Sequence, residues 1–146
     1  MKDERITIET AKLAKKKNFN IIVKGHYVEY LVNQVDPEYP EGGGPFSMKK
    51  GEIEFGEDAI VNNGGSDYSN HSYDMYAAPT QSLLAKWLRD VHNIQVYCNS
   101  GTKNGNVYRD YIVHINERSI NDPRDEEYQT YETAMEAGLQ SALKMI

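Results

Sequence analysis

The residues with the clearest chemical potential lie in a tyrosine-rich run, 66–76 (SDYSNHSYDMY), that leads into a helix predicted to begin near Pro79. Free backbone amides at the start of a helix attract anions, and planar side chains in the preceding loop can stack on a nucleobase. The sequence therefore predicts a site for a small anionic or nucleotide-like ligand. An alternative interpretation is that the tyrosines simply pin the loop to the core. The candidate ligand-binding residues are Tyr68, His71, Tyr73, Tyr76, Thr80 and Arg89.

Catalytic and metal sites have less support in the sequence. Cys98 and His114 are predicted to lie on paired strands and could form a thiolate–imidazole dyad. However, Cys98 alternates with Ile94 and Val96, which favours a buried structural thiol. None of the four histidines has a metal-ligand spacing. Asp67, His71 and Asp74 are close enough to suggest a metal site, but polar loops produce such spacings by chance. We therefore expect no catalytic residues, no metal and no cofactor.

Composition narrows the class of protein. The chain has 146 residues, of which 39% are hydrophobic and 26% charged, which is typical of a folded, soluble domain. No apolar run is long enough for a membrane helix, and the N-terminus shows no signal peptide. A single cysteine among 146 residues favours a reducing compartment, so we expect a cytoplasmic location. The net charge of −6 argues against binding to double-stranded nucleic acid.

The first third of the chain predicts one helix and an extended segment. Thr7 can cap a helix that ends near Asn18. Residues 21–32 then predict two short strands, or one strand with a bulge at Gly25. Residues 36–78 contain repeated Pro, Gly and Asn and predict a long loop insertion, with short strands at 52–55 and 59–61 at most.

The second half predicts a helix, a hairpin and a second helix. Pro79 fits a first helical position, and Asn93 ends that helix. A hairpin with an Asn104-Gly105 turn follows, and Thr130 can cap the last helix. The apolar stripes of the two helices are Leu83, Leu84, Trp87, Leu88 and Val91 in the first, and Met135, Leu139, Ala142, Leu143 and Ile146 in the second.

These elements predict a single α+β domain over residues 1–146. Its expected architecture is an antiparallel sheet with three helices, in the order α-β-β … α-β-β-α, and a loop insertion at about 36–78. The α-β-β-α order is similar to a double-stranded RNA-binding domain. That family uses a lysine cluster at the start of its last helix, whereas this chain has Thr130-Tyr131-Glu132-Thr133 beside three acidic residues, Asp125 to Glu127. RNA binding by that route is not expected.

Three segments carry a resemblance to a known group: ITIETAKLAKKKNF, APTQSLLAKWLRDVHNI and TYETAMEAGLQSALKMI. They resemble a group of uncharacterised small proteins encoded by bacteriophages and prophages. The resemblance covers residues 6–19 and much of 77–146 but not the loop. It implies a phage accessory protein in the cytoplasm of the infected cell, and it transfers no catalytic residue.

We therefore expect a non-enzymatic phage accessory binding protein, an anti-defence protein that sequesters a nucleotide-like signal. One alternative is a protein-interaction module or inhibitor that docks its acidic 116–130 segment on a basic surface of a host protein. Another is a minor metal-dependent enzyme. The sequence is compatible with a homo-oligomer and does not predict its ligand.

Overall fold

The structure is a computed structural model of the chain that describes residues 3–33, 37–41, 44, 49–61, 73–103, 106–121 and 128–146. The α+β class is confirmed. The chain divides into a larger unit, Met1–Phe19 with Pro79–Ile146, and a smaller unit, Asn20–Ala78. The elements in chain order are α1 (Ile8–Lys16), β1 (Val23–Tyr30), β2 (Ile53–Val61), β3 (Tyr73–Ala77), α2 (Gln81–His92), β4 (Val96–Lys103), β5 (Asn106–Ile115), β6 (Arg118–Ser119) and α3 (Tyr131–Leu143).

Each helix begins immediately after a threonine. The Thr7, Thr80 and Thr130 hydroxyls accept hydrogen bonds from backbone amides three residues further along. A threonine at this position satisfies one of the amides that a helix start leaves without an intrahelical partner. The caps expected at positions 7 and 130 are confirmed. The expected start of α2 is wrong by two residues, since Pro79 precedes the cap and Gln81 is the first helical residue.

The smaller unit contains a three-stranded antiparallel sheet in the order β2-β1-β3. The bulge predicted in β1 is confirmed, because the register with β2 shifts between Lys24 and His26, and Gly25 has a φ of 104°. Glycine adopts this left-handed backbone without a Cβ penalty. The short strands expected at 52–55 and 59–61 are confirmed as parts of one continuous strand, β2. The prediction of a loop over 36–78 is wrong in part, since β2 is continuous and β3 also lies within this segment.

The larger unit contains the second antiparallel sheet, β4-β5-β6, against which α3 packs. The prediction of one sheet is therefore corrected to two. Gly138 of α3 lies close to the sheet, since an added Cβ would stand 2.7 Å from Val113 Cγ1 and 2.8 Å from Val96 Cγ1. The Asn104-Gly105 turn lies outside the described residues.

Two helical stripes supply much of the core of the larger unit. Of the stripe predicted for α2, Leu84, Trp87 and Leu88 are buried, which confirms its central part. Leu83 is only half-buried, and the expected burial of Val91 is wrong, since its side chain is 61% exposed. The α3 stripe is confirmed for four of its five members, because Ile146 is only half-buried. The buried α3 residues are Ala134, Met135, Gly138, Leu139, Ala142 and Leu143.

Candidate functional site

The predicted ligand-binding residues fall into three groups. Tyr68 and His71 lie outside the described residues. Tyr73 and Tyr76 belong to β3 of the smaller unit, whereas Thr80 and Arg89 belong to the larger unit. Of the metal hypothesis, Asp67 also lies outside the described residues, whereas Asp74 lies in β3. The acidic segment's Asp125, Glu126 and Glu127 lie outside the described residues as well.

Tyr73 and Tyr76 are not brought together. Successive side chains of a strand point to opposite faces, so residues three positions apart lie on different faces. Tyr73 pairs in register with Tyr30, and their rings meet edge to face at 6.2 Å. The Tyr30 hydroxyl donates a hydrogen bond to Glu54 on the same face. Tyr76 pairs with Tyr27 on the other face.

The start of α2 is occupied by acceptors from the chain itself. The Gln81 amide donates to the Glu4 carbonyl at 2.7 Å, and the Ser82 amide donates to the Asp3 carboxylate at 3.3 Å. The third amide, that of Leu83, donates to the Thr80 hydroxyl at 3.4 Å. An external anion at this helix start would have to displace two internal acceptors.

Arg89 lies at the far end of α2. A helix rises about 1.5 Å per residue, so nine residues separate Arg89 from the Thr80 cap by about 13 Å. The Arg89 side chain pairs instead with Asp90, at 3.2 Å between Nε and Oδ1, and Lys86 also pairs with Asp90. The hydrogen bond from Lys86 is the largest cause that holds the pKa of Asp90 below its usual value, and Arg89 lowers it further. Arg89 is thus not positioned to supply charge at the helix start.

The structure does not form the Cys98–His114 dyad. Cys98 pairs in register with Val113, whereas His114 pairs with Tyr97, so the thiol and the imidazole lie on opposite faces of the sheet. The His114 ring stacks on Tyr97 at 4.8 Å, and its Nε2 is 3.0 Å from the Asn99 side-chain oxygen. Burial raises the pKa of the Cys98 thiol to about 12. Cys98 is half-buried and not buried as expected, and both findings agree with a structural thiol.

The described feature best suited to contact a ligand is a row of aromatic side chains across the sheet of the smaller unit. The register places Tyr27 of β1 between Phe55 of β2 and Tyr76 of β3, on one face. The Tyr27 and Phe55 ring centroids are 5.3 Å apart, and Phe55 is 44% exposed. We call these three residues the aromatic row. Such a row offers planar π surfaces that are partly open to solvent.

A carboxylate pair lies beside the aromatic row on the same face. Two residues further along β1, Glu29 pairs in register with Asp74 of β3 and with Ile53 of β2. The Tyr76 hydroxyl is 3.2 Å from Glu29 and 3.4 Å from Asp74. A phenol has one proton to donate, so it can serve only one of these carboxylates at a time. We call Glu29 and Asp74 the carboxylate pair.

The environment of Tyr76 keeps its hydroxyl protonated. Desolvation is the first cause and the charges of Asp74 and Glu29 are the next, and together they raise the pKa of Tyr76 far above its ordinary value of 10.0. A neutral phenol between two carboxylates donates a hydrogen bond and adds no charge of its own. The face therefore presents aromatic rings next to concentrated negative charge.

A concave feature of the larger unit, which we call the polar groove, has a volume of about 560 Å³. Its lining includes the carboxylates of Glu4, Glu132 and Glu136 and the side chains of Arg5 and Tyr128. The groove mixes charge of both signs over a small area. Its chemistry depends on how Glu136 is bonded.

The Glu136 carboxylate is engaged by the starts of two helices. Its Oε1 accepts hydrogen bonds from the Thr7 amide at 2.8 Å, the Thr7 hydroxyl at 2.7 Å and the Thr10 hydroxyl. Its Oε2 accepts from the Gln81 amide nitrogen Nε2 at 3.1 Å. Thr10 and Gln81 are buried polar residues. Because four donors converge on this carboxylate, its evident role is to join α3 to the starts of α1 and α2.

Two further properties bear on the choice of function. Among the residues that the structure describes, no three His, Cys, Asp or Glu side chains come together as a possible metal site. Within the same residues, no helix has the length and apolar character needed to cross a membrane.

Comparisons with protein-family models, curated proteins and solved structures find no match to this chain. Function is therefore inferred from the geometry of the residues that the structure describes.

Sequence reasoning missed the aromatic row and the carboxylate pair, apart from Tyr76, a candidate ligand-binding residue, and Asp74, which was named in the metal hypothesis. Their signal is present as three two-residue alternations, Tyr27 with Glu29, Ile53 with Phe55, and Asp74 with Tyr76. Each alternation predicts that its two side chains share one face of a strand. The sequence does not reveal that the three strands pair in the register that aligns them.

Proposed function

We propose that the chain is a non-enzymatic binding protein that holds a planar group of its ligand against the aromatic row. The observation that carries this proposal is the alignment of Tyr27, Phe55 and Tyr76 across three strands, with Phe55 44% exposed. Aromatic side chains on a rigid sheet give a large contact area at a low cost in conformational entropy. In keeping with the resemblance to small phage proteins, we place this binding in the cytoplasm of an infected bacterium, as interference with host defence.

The neighbouring charges limit which planar group can bind. A phosphate close to Glu29 and Asp74 would be repelled, since both carboxylates lie on the same face as the aromatic row. A nucleotide could therefore bind only with its base on the row and its phosphates directed away from the carboxylate pair. Groups that carry N–H donors or positive charge meet no such penalty.

The openness of the face favours a protein partner over a small molecule. Sites for small ligands are concave and bury most of the ligand surface. Here Phe55 is 44% exposed and Ile53 is 47% exposed, on the same face of an edge strand. Exposed aromatic and aliphatic side chains with a polar rim are typical of the centre of a protein–protein interface. The alternative of a module that docks on a basic host surface is thus retained, with this face in place of segment 116–130.

Calorimetry with planar probes tests the proposal. The probes are a panel of linear and cyclic nucleotides and an arginine-rich hexapeptide. We expect at least one probe to bind, and we expect Phe55→Ala to weaken it about tenfold, since stacking on one aromatic ring is worth about 1–3 kcal/mol. The matched control is Tyr39→Ala, which removes an equally exposed aromatic side chain, 50% exposed, outside the aromatic row.

Two kinds of result would contradict different parts of the proposal. If no probe binds, or if Tyr39→Ala weakens binding as much as Phe55→Ala does, the aromatic row is not a binding surface. Turnover of a nucleotide during the titration would contradict the non-enzymatic part of the proposal.

A further inference from the structure

The carboxylate pair gives this face a preference for positively charged ligands, which the aromatic row alone would not have. Glu29 and Asp74 are register partners on adjacent strands, and the Tyr76 hydroxyl lies within 3.4 Å of both. A cation bound beside them would be attracted by both carboxylates and by the net charge of −6.

A cation that binds both the aromatic row and the carboxylate pair must meet two conditions. It must be planar to stack on Tyr27 or Phe55, and it must present several N–H donors in one plane to reach carboxylates on two strands. A lysine ammonium is a compact and strongly hydrated charge that satisfies neither condition well. The guanidinium of arginine is planar, stacks on aromatic faces and binds carboxylates through two parallel hydrogen bonds.

We infer that this face binds an arginine side chain of a basic segment on a partner protein, stacked on the aromatic row and paired with Glu29 and Asp74. This inference rests on the proposed function and gives the chemistry of its ligand. The exposed Phe55 and Ile53 side chains contact the apolar part of the same segment. Arginine is among the residues that most often dominate the binding energy of protein interfaces.

The test compares two peptides of equal charge, hexa-arginine and hexa-lysine, by calorimetry at physiological salt. We expect the arginine peptide to bind about tenfold more tightly, because only the guanidinium can stack and bridge. We also expect Asp74→Asn to weaken arginine binding about tenfold, while lysine binding changes less. The matched control is Glu54→Gln, which removes the same charge from the opposite face of the same sheet. Melting temperatures of both variants within a few degrees of the parent establish that the fold is retained.

Each outcome is decisive. Equal binding of the two peptides, or equal losses in Asp74→Asn and Glu54→Gln, would mean general charge attraction and would overturn the inference. Binding of a nucleotide that depends on Phe55, with no arginine preference, would overturn the inference and leave the proposed function standing. If no probe depends on Phe55, both fail.

Discussion

At the scale of single residues, the most consequential polar side chain of the larger unit is Glu136. Its carboxylate accepts hydrogen bonds from Thr7, Thr10 and Gln81, and the last two are buried. A carboxylate at the positive end of a helix dipole is also favourably placed. These contacts explain how three helices with short apolar stripes can be joined through polar side chains.

We predict that Glu136→Ala destabilises the larger unit by about 1.5–3 kcal/mol, because hydrogen bonds to charged groups contribute this much and buried partners are left without their acceptor. Urea unfolding measures the loss. The control is Glu132→Ala, one turn earlier in α3, whose carboxylate accepts no hydrogen bond from the residues that the structure describes and gains about 0.3–1 kcal/mol from the helix dipole. Equal losses in the two variants would show that the convergence of donors on Glu136 has no energetic importance.

Cys98 is the residue that tests whether the chain has a reactive thiol. Burial raises its pKa from an ordinary value of 9.0 to about 12, so the thiolate fraction at pH 8 falls about 1,000-fold. We expect native protein to react with a disulfide reagent at pH 8 at least a hundredfold more slowly than urea-unfolded protein. A native rate close to the unfolded rate would contradict the structural role.

The raised pKa of Cys98 also makes the stability of the fold depend on pH. The folded-state pKa lies above the unfolded one, so the contribution of the neutral thiol is fully present below pH 9. That contribution is lost as the pH rises from 9 towards 12. Near neutral pH the thiol is protonated in both states, so stability does not change with pH through this group.

At the scale of elements, the predictions that succeeded were the local ones. A threonine before a helix, a glycine at a bulge and an αL asparagine after a helix act over three or four residues, so Thr7, Gly25 and Asn93 could be identified without the fold. Inside 36–78, the continuity of β2 and the existence of β3 could not be identified, because a strand is stabilised by its distant partners. The β1–β2 register, for example, joins Tyr27 to Phe55 across 28 positions of sequence.

The α2 stripe shows where helical periodicity reaches its limit. Trp87 is 6% exposed and meets Phe19 edge to face at 5.3 Å, whereas Val91 falls on the same stripe by spacing and is 61% exposed. The stripe is buried only where another element covers it. Periodicity indicates which face can be buried, and it does not show how far along the helix the cover extends.

We expect Trp87→Ala to lower the free energy of unfolding by about 3–5 kcal/mol, since it leaves a large cavity against Phe19. Val91→Ala is the matched control on the same helix and should change it by less than about 0.5 kcal/mol. Chemical denaturation of the two variants measures both values. A small loss in Trp87→Ala, or a large one in Val91→Ala, would contradict the burial described for α2.

At the scale of the whole molecule, charge and composition lead to a prediction about the kind of partner and do not locate a site. The net charge of −6 and the 11 tyrosines are consistent with a protein that binds through aromatic surfaces and avoids nucleic acid duplexes. The predicted site combined residues that the structure distributes over two faces of β3 and two units of the chain. Composition describes the whole chain, whereas a binding site depends on which side chains the strand register aligns on one face.

The central claim is that a ligand contacts one face of the smaller sheet, and an aromatic carbon–proton NMR titration tests it most directly. With hexa-arginine as the probe, the ring resonances of Tyr27, Phe55 and Tyr76 should shift together and saturate. Those of Tyr30 and Tyr73 should remain in place, because these rings lie on the opposite face of the same sheet. Saturable shifts confined to Tyr30 and Tyr73, or to Tyr128 in the polar groove, would contradict the claim.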